Sequence, residues 1–193
     1  MISVVMPSFL GHYHGAATNR DEKFIRAVDS FLAQGIGELI VVADGCEMTE
    51  KIIRHEYANR NNIRLVTLPK QSTMSGKVRQ AGITAATHAW ITYLDSDDEY
   101  GDGHLLSICD GIASNLDADW LYWDDFVGDH LRKCDVSQCR IGTSCIAHKK
   151  SIHAIWTDGY MHDWGFITRL GKNYTKINGP RYIVHHIPGK IDN

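Results

Sequence analysis

Trp90–Asp98 reads WITYLDSDD, an apolar run that delivers three carboxylates to one point. Ile91, Thr92 and Tyr93 are β-branched or aromatic and suit a buried strand, whereas Asp95, Ser96, Asp97 and Asp98 cannot continue one through an apolar core. The strand therefore ends where its carboxylates begin. Mutually repelling carboxylates at a strand end are costly unless solvent or a hard cation neutralises them. Mg²⁺ or Mn²⁺ takes one or two carboxylates together with phosphate oxygens. The run alone fits two readings, a solvated acidic turn and a cation site beside a bound nucleoside diphosphate.

Upstream of this strand the chain repeats one rhythm. Ile2–Met6, closed by Pro7, and Glu38–Val42, followed by Ala43, Asp44 and Gly45, read as buried parallel strands. Between them Asp21–Gln34 places Phe24, Ile25, Val28, Phe31 and Leu32 at helical spacing, and Gly35 and Gly37 supply stop signals. A second helix is expected from about Met48 to Asn59, a strand over Ile63–Leu68, and a third helix over Gly76–His88 that feeds the Trp90–Leu94 strand. Alternating βα units of this kind build a doubly wound, mostly parallel α/β sheet. Ligands of such sheets sit beyond the carboxyl ends of the strands, where Pro7–Phe9, Ala43–Cys46 and Asp95–Asp98 would converge.

After Gly101 the rhythm changes. A helix over about Gly103–Asn115 precedes an aromatic strand, Trp120–Phe126, and then a polar stretch through Arg140. With 193 residues and neither an internal repeat nor a low-complexity linker, one domain is expected over residues 1–193, with a cofactor half (1–100) and a partner-binding half (101–193).

Composition excludes several classes. Hydrophobic residues make up 44% and charged residues 22%, a globular balance, and the net charge of −3 provides no global field for a nucleic-acid backbone. No window is long and apolar enough to span a bilayer and the N-terminus carries no basic leader, so a cytoplasmic protein without a transmembrane segment is expected. The five cysteines form an odd set with no CxxC pair, which argues for reduced thiols. His130, Cys134, Cys139, Cys145 and His148 cluster in sequence, but their spacing matches no standard zinc knuckle or ribbon.

Taken in order, SVVMPSF, VVADGC, SGKVRQAGI, YLDSDDEY and MHDWGFITRL resemble the successive motifs of family 2 inverting glycosyltransferases with the GT-A (Rossmann-like) fold. The resemblance spans nearly the whole chain. It implies a metal-dependent, inverting hexosyltransferase that uses a nucleotide-sugar donor, a UDP-sugar being favoured, and a glycan or other hydroxyl acceptor. Four positions depart from the family pattern: Ala43 for an acidic residue, Cys46 for Ser, Gln80 for Asn and His162 for Glu.

By that resemblance Asp97 ligates Mg²⁺ or Mn²⁺, Asp95 meets the donor ribose or the metal's water shell, and Asp163 is the catalytic base. Pro7, Ser8 and Phe9 would wall the base and ribose, with Ser96 also on the donor side. Asp44 would hydrogen-bond the nucleobase, its alternative being a turn-former before Gly45. Arg79 would reach the base or a phosphate, its alternative being a solvated helix charge.

Inversion by single displacement needs a base opposite the leaving group. Asp163, beside His162 and Trp164 at a helix start, is expected to be partly desolvated with a raised proton affinity, or to serve as a helix N-cap. In the resembling family a C-terminal His returns to the metal or pyrophosphate. Neighbours on a strand face opposite ways, so only one of His185 and His186 can enter the site, and His186 is favoured. Lys190 would help neutralise a diphosphate. Trp123, Trp164 and His162 are acceptor-side candidates, although alternating core aromatics explain Trp120, Tyr122 and Trp123 equally well. A sugar-phosphate nucleotidyltransferase would want a Gly-rich phosphate loop, which Gly11–Ala17 matches poorly. A non-catalytic sugar-nucleotide or glycan-binding module is the remaining alternative.

Overall fold

A computed structural model describes residues 1–71, 74–159, 161–187 and 191–192. Strand β1 (Ile2–Ser8) is buried at every position, because a central parallel strand covered on both faces has no solvent side to mark with polar alternation. Helix α1 (Arg20–Ala33), strand β2 (Glu38–Asp44), helix α2 (Glu47–Glu56), strand β3 (Ile63–Leu68), helix α3 (Gly76–Ala85) and strand β4 (Trp90–Tyr93) follow in alternation. The four strands pair in parallel in the order β4-β1-β2-β3. Helix α3 lies close against them: a Cβ on Gly82 would sit 2.3 Å from Val5 Cγ1.

Helix α3 stops three residues before the expected His88. The reason is local: Thr87 gives its backbone N–H and its hydroxyl to Glu38 Oε1 at 2.6 and 2.7 Å, and His88 N–H goes to Ser3 Oγ at 3.1 Å. Side chains at the head of β1 and β2 thus take the donors that a longer helix would have used.

The second half holds strand β5 (Glu99–Tyr100), helix α4 (His104–Ser114), and strands β6 (Trp120–Tyr122), β7 (Asp125–Val127), β8 (His130–Arg132) and β9 (Ile146–Lys149). Helix α5 (His162–Ile167) and strands β10 (Tyr174–Lys176), β11 (Tyr182–Val184), β12 (His186–Ile187) and β13 (Ile191–Asp192) complete it. Strand β9 extends the main sheet antiparallel to both β4 and β6, and β10 closes the edge parallel to β6, giving the order β10-β6-β9-β4-β1-β2-β3. A smaller sheet runs β5-β11-β7-β8.

The expected single strand Trp120–Phe126 is two strands in two sheets. Trp123 makes the break: its backbone N–H goes to Cys145 O at 3.1 Å and its indole N–H to Ser144 O at 3.1 Å. It is 1% exposed. This corrects its assignment as an acceptor contact, since a buried ring whose one donor is already satisfied is core. Asp125, next in line, is fully buried and paired with Arg132 and Ser144. Cys134 and Cys145 gather around that same carboxylate, so these two thiols belong to a packed anchor whose carboxylate already has its partners. His148 instead lies in the core, with Nε2 2.8 Å from the Tyr93 hydroxyl. No helix among the described residues is long and apolar enough to cross a membrane.

Candidate functional site

The carboxyl ends of β1, β2, β3 and β4 open onto a cleft of about 880 Å³. Pro7, Ser8 and Phe9 reach it from β1, Asp44 from β2, Arg79 from α3, Asp95, Ser96 and Asp97 from the end of β4, and His186 from β12. These nine residues were singled out in the sequence, and one crevice brings them together. The loop before α1 also lines it, through His12, Tyr13 and His14.

The end of β4 is clamped from β11. The Tyr182 hydroxyl accepts the Asp95 N–H at 2.9 Å and donates to Asp98 Oδ2 at 2.9 Å, while Asp98 Oδ1 accepts the His185 N–H at 2.8 Å. Asp98 is therefore an internal anchor that fixes the turn, and Asp95 and Asp97 are left to face the cleft. Burial, then repulsion from Asp97 and Asp95, holds the Asp98 carboxyl well above the usual carboxylate range. Burial followed by repulsion from Asp95 raises Asp97 as well. No side chain among the described residues hydrogen-bonds to the Asp97 carboxylate.

Arg79 is 4% exposed, so it is no solvated helix charge. Its Nη2 donates to Asp95 Oδ1 at 2.6 Å, its Nη1 contacts Ser75 Oγ and lies 3.3 Å from His162 Nε2, and its guanidinium carbon stands 5.2 Å from the Trp156 ring centroid. Burial opposes its charge, but Asp95 and Asp163 outweigh that and hold it firmly protonated. One buried arginine thus ties the β4 carboxylates to α5.

Asp163 lies in the first turn of α5, with Met161 as the residue that caps the helix, so it is not the N-cap. Its Oδ1 stands 3.0 Å from His162 Nε2. Burial pushes the Asp163 carboxyl up, yet the His162 contact and the Arg79 charge prevail and lower it. The expected rise is reversed because the neighbouring His162 side chain and the Arg79 charge favour the ionised form, and the burial argument did not include them. Asp163 faces an adjoining pocket of about 260 Å³ that shares Asp95, Asp98 and His186 with the larger cleft. Trp164 is half-buried and packs on the core.

His185 lies between β11 and β12, and it and His186 turn to different partners. His185 Nε2 stands 3.1 Å from Glu99 Oε2, outside the cleft, while His186 Nε2 lies 3.0 Å from Gly15 O at the cleft's roof. Asp192 on β13 accepts both the N–H and the hydroxyl of Thr18 at 2.8 Å and pairs with Lys23, fastening the β12–β13 hairpin to the start of α1. Lys190 and Tyr160 lie outside the described residues.

Asp44 already has partners: Oδ1 accepts the Gln71 N–H and Oδ2 the Lys70 ammonium, both at 2.6 Å. Lys70 also stands 4.2 Å over the Phe9 ring. Gly45 permits this fold-back with φ of +58°, and a Cβ there would lie 2.5 Å from Lys70 N. Lys70 and Gln71 line the cleft and were missed, although they sit just past the end of β3, where the strand-end rule that found the other loops applies equally. Arg20, at the start of α1, is a further cleft cation.

Residues 16–129 match the sequence model of glycosyl transferase family 2. The succinoglycan biosynthesis protein ExoO of Rhizobium meliloti (strain 1021) is 37% identical over 84 residues, which are 43% of this chain and 24% of that protein. Among solved structures, residues 1–349 of S. aureus TarS superpose with a TM-score of 0.76 at 16% identity, over 95% of this chain and 60% of that one. The same TarS fragment in complex with UDP-GlcNAc gives 0.76 at 17% identity, over 98% and 59%. This chain therefore spans only part of the proteins it matches, and the TarS likeness establishes the GT-A fold. Asp163 lies beyond the matched family region, whereas the β4 carboxylates, Arg79 and Asp44 lie within it. Since that region covers more than half of the sequence, the chain belongs to glycosyl transferase family 2.

Proposed function

We propose that this chain is an inverting, metal-dependent transferase that moves a hexose from a UDP-sugar to a hydroxyl acceptor. The observation that carries the reading is the buried Arg79, which joins the Asp95 carboxylate to the His162–Asp163 pair across one crevice. The donor half is residues 1–100 and the acceptor half residues 101–193. The complex of TarS with UDP-GlcNAc supports UDP as the donor nucleotide.

Asp95 and Asp97 fit a hard divalent cation, Mn²⁺ or Mg²⁺. They are oxygen donors, and burial together with repulsion from Asp95 raises the Asp97 carboxyl, a cost that a cation relieves. His186 stands on the same cleft as a third candidate ligand. When bound, such an ion supplies positive charge to the departing diphosphate.

The protein's own groups do the rest. Pro7, Ser8 and Phe9 wall the nucleoside. Asp44 holds Lys70 and Gln71 at the base-binding end, where Lys70 covers Phe9. Arg79 keeps Asp95 oriented and holds Asp163 ionised, and an ionised carboxylate is the state able to accept a proton from the attacking hydroxyl. A base whose proton affinity lies low works by position more than by strength, and His162 at 3.0 Å supplies that position. Free cysteines accord with a cytoplasmic setting.

The test is release of UDP from UDP-GlcNAc, UDP-glucose and UDP-galactose, followed in the wild type and in Asp163→Asn. The variant is expected to keep its UDP affinity and lose at least about a hundredfold in turnover. Equal turnover in the two proteins removes Asp163 from the mechanism.

A further inference from the structure

The pocket of about 260 Å³ that holds Asp163 is also lined by Arg132, Arg140, Thr143 and Ser144. Each arginine is held by a carboxylate. Arg132 donates from Nε to Asp125 Oδ1 at 2.7 Å and from Nη2 to Asp125 Oδ2, and Asp125 is fully buried and also accepts the Ser144 hydroxyl at 2.5 Å. A buried carboxylate is costly without its partner, so this pairing holds the guanidinium in one side-on pose. Hydrogen bonding to Asp125, ahead of the burial that opposes it, keeps Arg132 firmly protonated. Arg140 donates from Nε to Asp135 Oδ2 at 2.5 Å.

Side-on pairing of Arg132 and the single Nε contact of Arg140 leave nitrogens available on each guanidinium. Among the described residues Arg132 Nη1 and both Nη atoms of Arg140 make no hydrogen bond, while the side chains keep 42% and 58% of their surface exposed. An attacking hydroxyl needs none of these donors, and the carboxylate end of the larger cleft has its own cation in Arg20, whose charge acts on Asp97. Planar guanidinium forks match the geometry of phosphate and carboxylate oxygens.

We propose that this pocket binds an oxyanion, a phosphate or carboxylate group, carried by the sugar that lies beside Asp163. Two sources share that chemistry: a phosphorylated acceptor, or a donor whose sugar is a uronic acid. Placing the oxyanion beside the transfer reaction rests on the function proposed above; its recognition by Arg132 and Arg140 does not.

The test uses glycerol 1-phosphate and glycerol as one probe pair, and UDP-glucuronate and UDP-glucose as the other, titrated calorimetrically into the wild type, Arg140→Gln and Arg132→Lys. The glycerol pair is run with and without saturating UDP and Mg²⁺. Arg140→Gln changes an exposed side chain and is expected to fold; Arg132→Lys keeps a cation for Asp125 but removes the fork.

Preference for glycerol 1-phosphate over glycerol that falls about tenfold in both variants, with UDP affinity unchanged, places the oxyanion on the acceptor. Preference for UDP-glucuronate that falls likewise places it on the donor. No preference within either pair, or a preference that both variants retain, overturns the proposal. If UDP fails to bind while arginine-dependent binding of glycerol 1-phosphate remains, the transferase reading falls and the oxyanion pocket stands.

Discussion

Replacing Tyr182 with Phe removes one oxygen atom, and that atom joins the two ends of the carboxylate turn. It accepts the Asp95 N–H at 2.9 Å and donates to the buried Asp98 carboxyl at 2.9 Å. The loss of a net favourable hydrogen bond is about 1 kcal/mol, and the stranded Asp95 N–H adds about 2 kcal/mol, for a total of about 3 kcal/mol. In a chain of this length each kcal/mol moves Tm by about 2–4 °C, so a fall of about 6–12 °C is expected. Tyr100→Phe is the control. Its hydroxyl is also buried and donates to Tyr93 O at 2.7 Å, with the Thr92 side chain as a second partner, but no backbone N–H depends on it, and its loss should lower Tm by about 2–4 °C. Thermal melting by circular dichroism reads both. Because the Tyr182 bridge also orients Asp95, UDP affinity in the presence of Mn²⁺ should fall in Tyr182→Phe and hold in Tyr100→Phe. A Tyr182→Phe protein that melts like the control and binds UDP like the wild type refutes the clamp.

Acid should destabilise the protein through two buried histidines. Burial lowers His104 to about 3 and His148 to about 4, so below the unfolded value of about 6.5 the unfolded chain takes up protons that the folded chain refuses. The neutral-state advantage is whole above that value and is lost as pH falls, by roughly 3 kcal/mol for each histidine at pH 4. His104→Phe, which keeps the stack on Tyr100, should flatten the decline of urea stability between pH 6.5 and 4; an unchanged slope would exclude His104 as a source. Gly82→Ala would drive a Cβ to 2.3 Å from Val5 and should cost about 1–3 kcal/mol by overpacking, read in the same urea titration. A neutral or stabilising result there would mean that α3 can withdraw from the sheet.

The parallel core was legible in the sequence because buried strands write themselves as unbroken apolar runs and their helices as periodic ones. Strand β3 matches its expected bounds, and the loops at the ends of β1, β2 and β4 meet as the strand-end rule requires. The second half was less legible. The residues of β9, Ile146–Lys149, carry no alternation that marks an antiparallel insertion between β4 and β6. The break at Trp123 depends on acceptors more than twenty residues away. At the site, residue types indicated which side chains carry charge but not their partners. Arg79 also read as a solvated helix charge, and the lowered Asp163 carboxyl depends on the His162 side chain beside it and on the charge of Arg79, which comes from a distant helix. Tyr182 carried no local signal, since its role exists only once β11 is laid beside the end of β4.

The most direct test of the central claim is calorimetric titration of UDP, with GDP, CDP and dTDP for comparison, into the wild type and Asp97→Ala, each with Mn²⁺ and with chelator. Wild-type protein should bind UDP in a manganese-dependent manner, and Asp97→Ala should remain folded and lose that dependence. Absence of binding to any of the four nucleotides, or manganese dependence that survives in Asp97→Ala, would contradict the account.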